Sequence, residues 1–158
     1  MTDYTIRQAT LADMPIIVTH RVKMFEEMGG TDPTIQAAFE PGFAAWLRRE
    51  MEREYYLAWF AVTPEDEVVS GAGLWLLDWP PGYSDWSAYR GFIYNVYTNP
   101  EHRHKGLARR VVQACLDWSA AKGIHYVGLH ASEFGRPLYE SMGFTPTNEM
   151  RIALSPLK

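Results

Sequence analysis

The 158 residues carry 15 Lys and Arg against 19 Asp and Glu, a net charge of −4, with 47% hydrophobic residues and a single cysteine. A chain of this length favours one domain, taken as residues 1–158, and buries enough surface to hold a core without metal or disulfide staples. The lone Cys115 excludes a disulfide-rich scaffold. The negative balance argues against a general nucleic-acid binder, whose affinity rests on many Lys and Arg set against phosphates.

Asp3, Arg7 and Asp13 interrupt any apolar run at the N-terminus, so no targeting signal is expected there. The most continuous apolar stretches, Leu57–Val62 and Gly71–Leu77, fall far short of the ~20 residues a bilayer requires. The expectation is a cytoplasmic protein with no membrane partner. Tyr4–Gln8 alternates as a strand, and Thr10 with Asp13 reads as a weak capping box opening a helix that Gly29-Gly30 ends. Met14, Ile17, Val18, Val22, Met24, Phe25 and Met28 share one broad face of that helix, and Arg21 stands inside the same arc. A charge so placed is paired, snorkels at an edge or faces a cavity.

A second helical region runs over Thr34–Arg53 and is expected to divide at Pro41-Gly42. Tyr55–Val62 and Val68–Leu77 form a hairpin around Thr63–Asp66, and Asp78–Gly91 reads as a loop rich in Trp and Tyr. Phe92–Thr98 is a strand stopped by Asn99-Pro100. Gly106–Lys122 is a helix burying Leu107, Val111, Ala114, Cys115 and Trp118, with Gly123 as its cap. Ile124–His130 reads as a strand, Phe134–Met142 as a short helix and Met150–Leu154 as a last strand. The order predicts a mixed α/β (α+β) layer architecture with a central βαβ unit.

The stretch from Asn99 to Arg110 joins a strand to a helix through Gly106, with Arg103, Lys105, Arg109 and Arg110 around the turn. The first N–H groups of a helix lack partners and lie at its positive end, so a small residue there builds an anion site. Residues 101–110 carry a net +3, leaving −7 for the rest. The turn is neither a Walker loop nor a dinucleotide fingerprint: Leu107 follows Gly106, and Gly71-Ala72-Gly73 lies inside a strand.

Two spaced motifs, Arg103-x-x-Gly106-x-Ala108 and Leu138-Tyr139-Glu140-Ser141-Met142-Gly143-Phe144, sit one strand apart in the order of elements. Here the chain resembles the GCN5-related N-acetyltransferase (GNAT) family. The resemblance implies a mostly antiparallel sheet with a central splayed parallel strand pair and flanking helices, and acetyl-CoA bound in the splay. By the same resemblance, backbone groups of Val96, Tyr97 and Thr98 pair with the pantetheine. Arg103 belongs to the motif, and the N–H groups of His104, Lys105, Gly106, Leu107, Ala108 and Arg109 hold the diphosphate. Tyr139 matches the family tyrosine that protonates the leaving thiolate. A phenol, with a pKa of about 10 against about 8.5 for a thiol, is suited to that step at neutral pH. Ser132 stands where the family often has an Asn that helps to bind pantetheine.

The resemblance implies direct transfer of an acetyl group to a primary amine through a tetrahedral intermediate, its oxyanion held by strand N–H groups near Val96. By the resemblance the expected acceptor is a small-molecule or peptide amine, and the acidic remainder of the chain weakly suits a cationic one. His130 and Glu133 are candidates for the base, as is a water chain, while Asn95 could only orient a water. Arg21, Phe25, Met28, Trp79 and Tyr83 are candidates for the acceptor pocket, with His130 beside them. His102 and His104 read as solvated, so no metal is expected, and Cys115 reads as a buried small hydrophobe. A homodimer is compatible with the family. Two rivals stay open: a non-catalytic acyl-CoA-sensing module, and a transferase using another acyl group or an oxygen acceptor.

Overall fold

The computed structural model describes residues 3–155. Its elements are β1 (Thr5–Gln8), α1 (Met14–Glu27), α2 (Pro33–Glu52), β2 (Tyr56–Val62), β3 (Val68–Asp78), β4 (Tyr89–Thr98), α3 (Leu107–Ala121), β5 (Val127–Leu129) and α4 (Arg136–Ser141). The five strands form one sheet in the order β1-β2-β3-β4-β5. The first three pairings are antiparallel, and β4 with β5 is parallel.

Strand alternation divides the core into two layers. Trp59 and Ala61 of β2 join Val69, Ala72, Leu74 and Ile93 against Leu107, Val111, Val112 and Cys115 of α3. Ala58, Phe60 and Val62 of the same strand turn the other way, onto Met14 and Ile17 of α1 and Leu47 of α2. That double burial explains the near-continuous apolar run of β2. Cys115 is fully buried and its thiol pKa is pushed up by that burial, which suits a packing residue better than a nucleophile. At the start of α1, the Asp13 carboxylate accepts both arms of Arg7 at 2.9 and 3.0 Å and the Thr10 N–H at 2.7 Å, and its pKa is lowered by the Arg7 hydrogen bonds first.

Five features differ from the sequence reading. The second helix runs unbroken through Pro41, because the proline and Gly42 sit on its exposed side while Phe43, Trp46 and Leu47 anchor the inner one. The β3–β4 ribbon is longer than expected, with Asp78 still paired to Tyr89, so only residues 79–88 are irregular. The fifth strand keeps only Val127–Leu129, and the following helix begins at Arg136. Met150–Leu154 is not a strand: Met150, Ile152 and Leu154 are 94%, 79% and 89% exposed. Alternation gives a segment β tendency, but no described strand pairs with this one.

His20 of α1 lies buried between the rings of Phe60 and Tyr97, at 5.9 and 5.0 Å, and burial lowers its pKa from 6.5 to about 4. Between these values the unfolded chain binds the proton and the folded one does not. Folding stability will therefore fall as pH drops from 6.5 to 4, by about 3 kcal/mol from this group. Urea titrations across that range will show the slope, and His20→Gln will flatten it.

Candidate functional site

The site is built around an irregularity in β4. Gly71 pairs with Tyr97 and Gly73 with Tyr94, so Asn95 and Val96 together face the single residue Ala72. Such a bulge carries one residue out of alternation, and Asn95 supplies it with a left-handed backbone, φ 57°. The glycines of β3 make the space. A Cβ on Gly73 would collide with the Tyr56 phenol, and one on Gly71 with Phe60 and His20. The ring of Tyr56 therefore lies across β3, where its hydroxyl accepts the Asn95 Nδ2–H at 2.7 Å.

The Asn95 Oδ1 accepts from Arg21 Nη1 at 2.8 Å. The guanidinium carbon of Arg21 lies 4.9 Å from the Phe25 ring centre, 4.7 Å from that of Phe43 and 5.9 Å from that of Tyr94. Its Nε is buried without a hydrogen-bond partner. Burial lowers the Arg21 pKa, an effect opposed by the nearby phenols of Tyr56 and Tyr94. Arg21 and Phe25 are thus brought together as the sequence suggested. Phe43, Tyr56, Tyr94 and Asn95 complete the group, and sequence reasoning missed their part. The available signals were an Asn interrupting an apolar strand and two glycines in its neighbour.

The opposite edge of β4 is left unpaired beyond Ile93. Pairing with β5 ends at Ile93 and Leu129, while β4 continues to Thr98. Tyr97 turns its carbonyl to β3, where the Ser70 hydroxyl donates to it at 3.0 Å, and the Asn99 N–H donates to Val69 on the same side at 2.8 Å. Alternation then directs the backbone of Val96 and Thr98 to the open edge. The Thr98 carbonyl accepts Arg103 Nε at 3.0 Å, and Arg103 also pairs with Glu27 of α1. Arg103 therefore ties the turn to β4 and α1.

Beyond Thr98 the chain turns into α3. His104 and Gly106 are both left-handed, at φ 60° and 75°, and a Cβ on Gly106 would meet no protein atom within 4 Å. Open space above the first-turn N–H groups of α3 is what a phosphate needs. Leu107 is buried beneath this turn and Ala108 half-buried. The basic side chains brace it. Lys105 Nζ lies 3.3 Å from the Tyr4 hydroxyl, Arg110 donates to the Tyr4 carbonyl at 2.9 Å, and Arg109 reaches the Ser141 hydroxyl on α4. His102 Nδ1 is 2.8 Å from the Tyr4 hydroxyl, and among the described residues no cluster suited to a metal ion occurs.

Tyr139 of α4 is buried in the α3-side layer, edge-on to Phe144 at 5.8 Å, in a cluster against which Val96 and Leu129 pack. Burial raises its pKa, so the phenol is protonated at neutral pH and can donate. Ser132 uses its hydroxyl to accept the Gly135 N–H at 3.1 Å. His130 is exposed at the end of β5, edge-on to Phe92 at 5.0 Å, and Glu133 is exposed beyond it. The remaining pocket candidates are not gathered with Arg21. Met28 is 56% exposed at the end of α1, and Tyr83 is fully exposed. Trp79 packs under Arg90 at 4.2 Å and pairs with Ala88, roughly 20 Å of strand rise from Tyr94.

The Acetyltransferase (GNAT) family model matches residues 22–144. An L-methionine sulfoximine/L-methionine sulfone acetyltransferase of Salmonella typhimurium is 28% identical over 68% of this chain and 68% of its own. The L-amino acid N-acyltransferase MnaT of Escherichia coli is 26% identical over 68% and 67%. A GCN5-related N-acetyltransferase from Ralstonia eutropha superposes with a TM-score of 0.88 at 32% identity, covering 96% of this chain and 99% of the other. A predicted acetyltransferase from Clostridium acetobutylicum, solved with acetyl-CoA, superposes with a TM-score of 0.86 at 24% identity over 96% of each chain, a likeness of fold.

The bulge is open to a direct test. Asn95→Ala will destabilise the protein by about 2–4 kcal/mol, since it strains the left-handed position and removes the partner of a buried hydroxyl. Asn95→Gly will recover about 1 kcal/mol of that loss, because glycine adopts the backbone without strain. Urea denaturation of the two variants separates the backbone cost from the hydrogen-bond cost.

Proposed function

Because the chain belongs to the GNAT acetyltransferase family and is an acyltransferase, we propose that it moves an acetyl group from acetyl-CoA directly to the primary amine of a small-molecule acceptor. One observation carries the reading. The unpaired edge of β4 at Val96 runs directly into the left-handed turn at Gly106 and the first N–H groups of α3. A strand edge followed by an anion cradle suits a ligand with amides at one end and a diphosphate beyond them. Val96 and Thr98 offer backbone to the amides, with Tyr97 between them. His104, Lys105, Gly106, Leu107, Ala108 and Arg109 offer N–H groups to the diphosphate. Arg103 braces that turn, and Ser132 shapes the turn before α4.

Acetyl-CoA supplies an activated thioester. The amine nitrogen adds to the thioester carbon to form a tetrahedral intermediate, whose collapse re-forms the carbonyl and breaks the carbon–sulfur bond. The Val96 N–H lies on the edge suited to stabilise the oxyanion, and Tyr139 gives its phenolic proton to the departing sulfur. The amine's surplus proton passes to solvent, through His130, Glu133 or water. No metal takes part in this scheme. Residues 1–158 act as one domain, and no helix among the described residues is long and apolar enough to cross a membrane. The names of the two curated relatives support an amine carried by a small molecule.

Thiol release with a panel of amines, followed by product mass, tests this reading. A product heavier by one acetyl group is expected, and CoA binding without turnover on any amine would leave only a sensing module. Tyr139→Phe is expected to lower kcat on the order of a hundredfold with little change in CoA affinity. Equal activity in that variant would remove the proton-donor role.

A further inference from the structure

The guanidinium of half-buried Arg21 is supplied with everything a shielded cation needs except an anion. The aromatic faces of Phe25 and Phe43 attract its charge, yet they accept none of its N–H groups in the plane. Asn95 takes one N–H through a neutral amide, and Nε is buried with no partner. The ion pairs among the described residues engage Arg7, Arg48, Arg49, Arg53, Arg90, Arg103 and Arg136, but not Arg21. A partly desolvated charge without a counter-ion is expensive, and the Arg21 Nη2, which makes no hydrogen bond and is not buried, leaves N–H groups free for a carboxylate.

Position gives this anion site a role. Arg21 holds the side chain of Asn95, and the next residue, Val96, lies on the unpaired edge of β4 proposed for acetyl-CoA. An anion seated on Arg21 lies on the α1–α2 side of β4, across the strand from the proposed diphosphate turn. An acceptor with a carboxylate close to its amine would thus be held by one group and present the other to the bulge.

We propose that Arg21 binds the carboxylate of the acceptor, and that the acceptors are α-amino acids, whose amine and carboxylate share one carbon. This rests on the amine-acetylation reading and narrows it. The overall acidity of the chain suits a cationic acceptor, but among the described residues no carboxylate pairs with Arg21. Polyamines and aminoglycosides, which carry amines without a carboxylate, are poor fits. Phe25, Phe43 and Tyr94 line the guanidinium with apolar surface that raises its demand for a counter-ion.

The test compares the twenty L-amino acids with their carboxamides, each assayed with acetyl-CoA by product mass. Amino acids are expected to exceed their amides in kcat/KM on the order of a hundredfold or more, since the amide leaves the guanidinium unpaired. Arg21→Gln is expected to raise KM for the acids while leaving the amides and CoA affinity little changed, and Arg21→Lys to restore part of the loss. A merely structural arginine would depress acids and amides alike, and that result, or equal use of both by the wild type, would overturn the proposal. If CoA binds and no acceptor turns over, the acetylation reading fails by itself. The carboxylate site is then read by isothermal titration of the same amino acids into the CoA-bound protein. Binding lost in Arg21→Gln and partly kept in Arg21→Lys would support it, and binding that is absent or indifferent to residue 21 would end it.

Discussion

Asn95 must occupy a left-handed backbone inside a strand, and much of the site follows from how that is tolerated. The bulge sets Tyr94 and Asn95 on the α1–α2 side together and returns Val96 to the α3 side. It exists because β3 gives way: Gly71 and Gly73 carry no side chains where Phe60, His20 and Tyr56 need room. Tyr56 then crosses the strand to hold Asn95, and Asn95 holds Arg21. A single backbone departure thus fixes a strand edge on one side and a charged group on the other.

The second organising feature is electrostatic. The chain concentrates its positive charge in one turn, where Arg109, Arg110 and Lys105 are spent largely on holding Tyr4 and Ser141. Arg103 likewise clamps Thr98 and Glu27. An anion at this turn would therefore meet chiefly backbone N–H groups and the helix end, while side chains supply rigidity and background field. Arg21 is different in kind, since it is half-buried, walled by aromatic rings and has no carboxylate partner among the described residues.

Part of this was legible beforehand. The two motifs around Gly106 and Tyr139 placed the turn and the buried phenol in the right elements. Arg21 stood out because a charge in an apolar arc is a local contradiction. Trp79 and Tyr83 drew attention through loop composition, yet the ribbon of β3 and β4 runs on to Asp78 and Tyr89 and carries them away from Arg21. Met150–Leu154 has strand alternation and no described partner, which shows that pattern alone does not create a ladder.

The sequence by itself determined features that act over a few residues: the strand-to-helix turn at Gly106, the hairpin of β2 and β3 and the short helix bearing Tyr139. These follow from backbone freedom, periodicity and unpaired N–H groups, all properties of contiguous chain. Only the tertiary structure decided that Arg21 meets Asn95 across 74 residues and that Asn95 meets Tyr56 across 39. Those meetings depend on the pairing register of β2, β3 and β4, and one bulge changes which face a polar side chain takes. Local pattern cannot specify that shift, because it arises from the space that two glycines leave in a neighbouring strand.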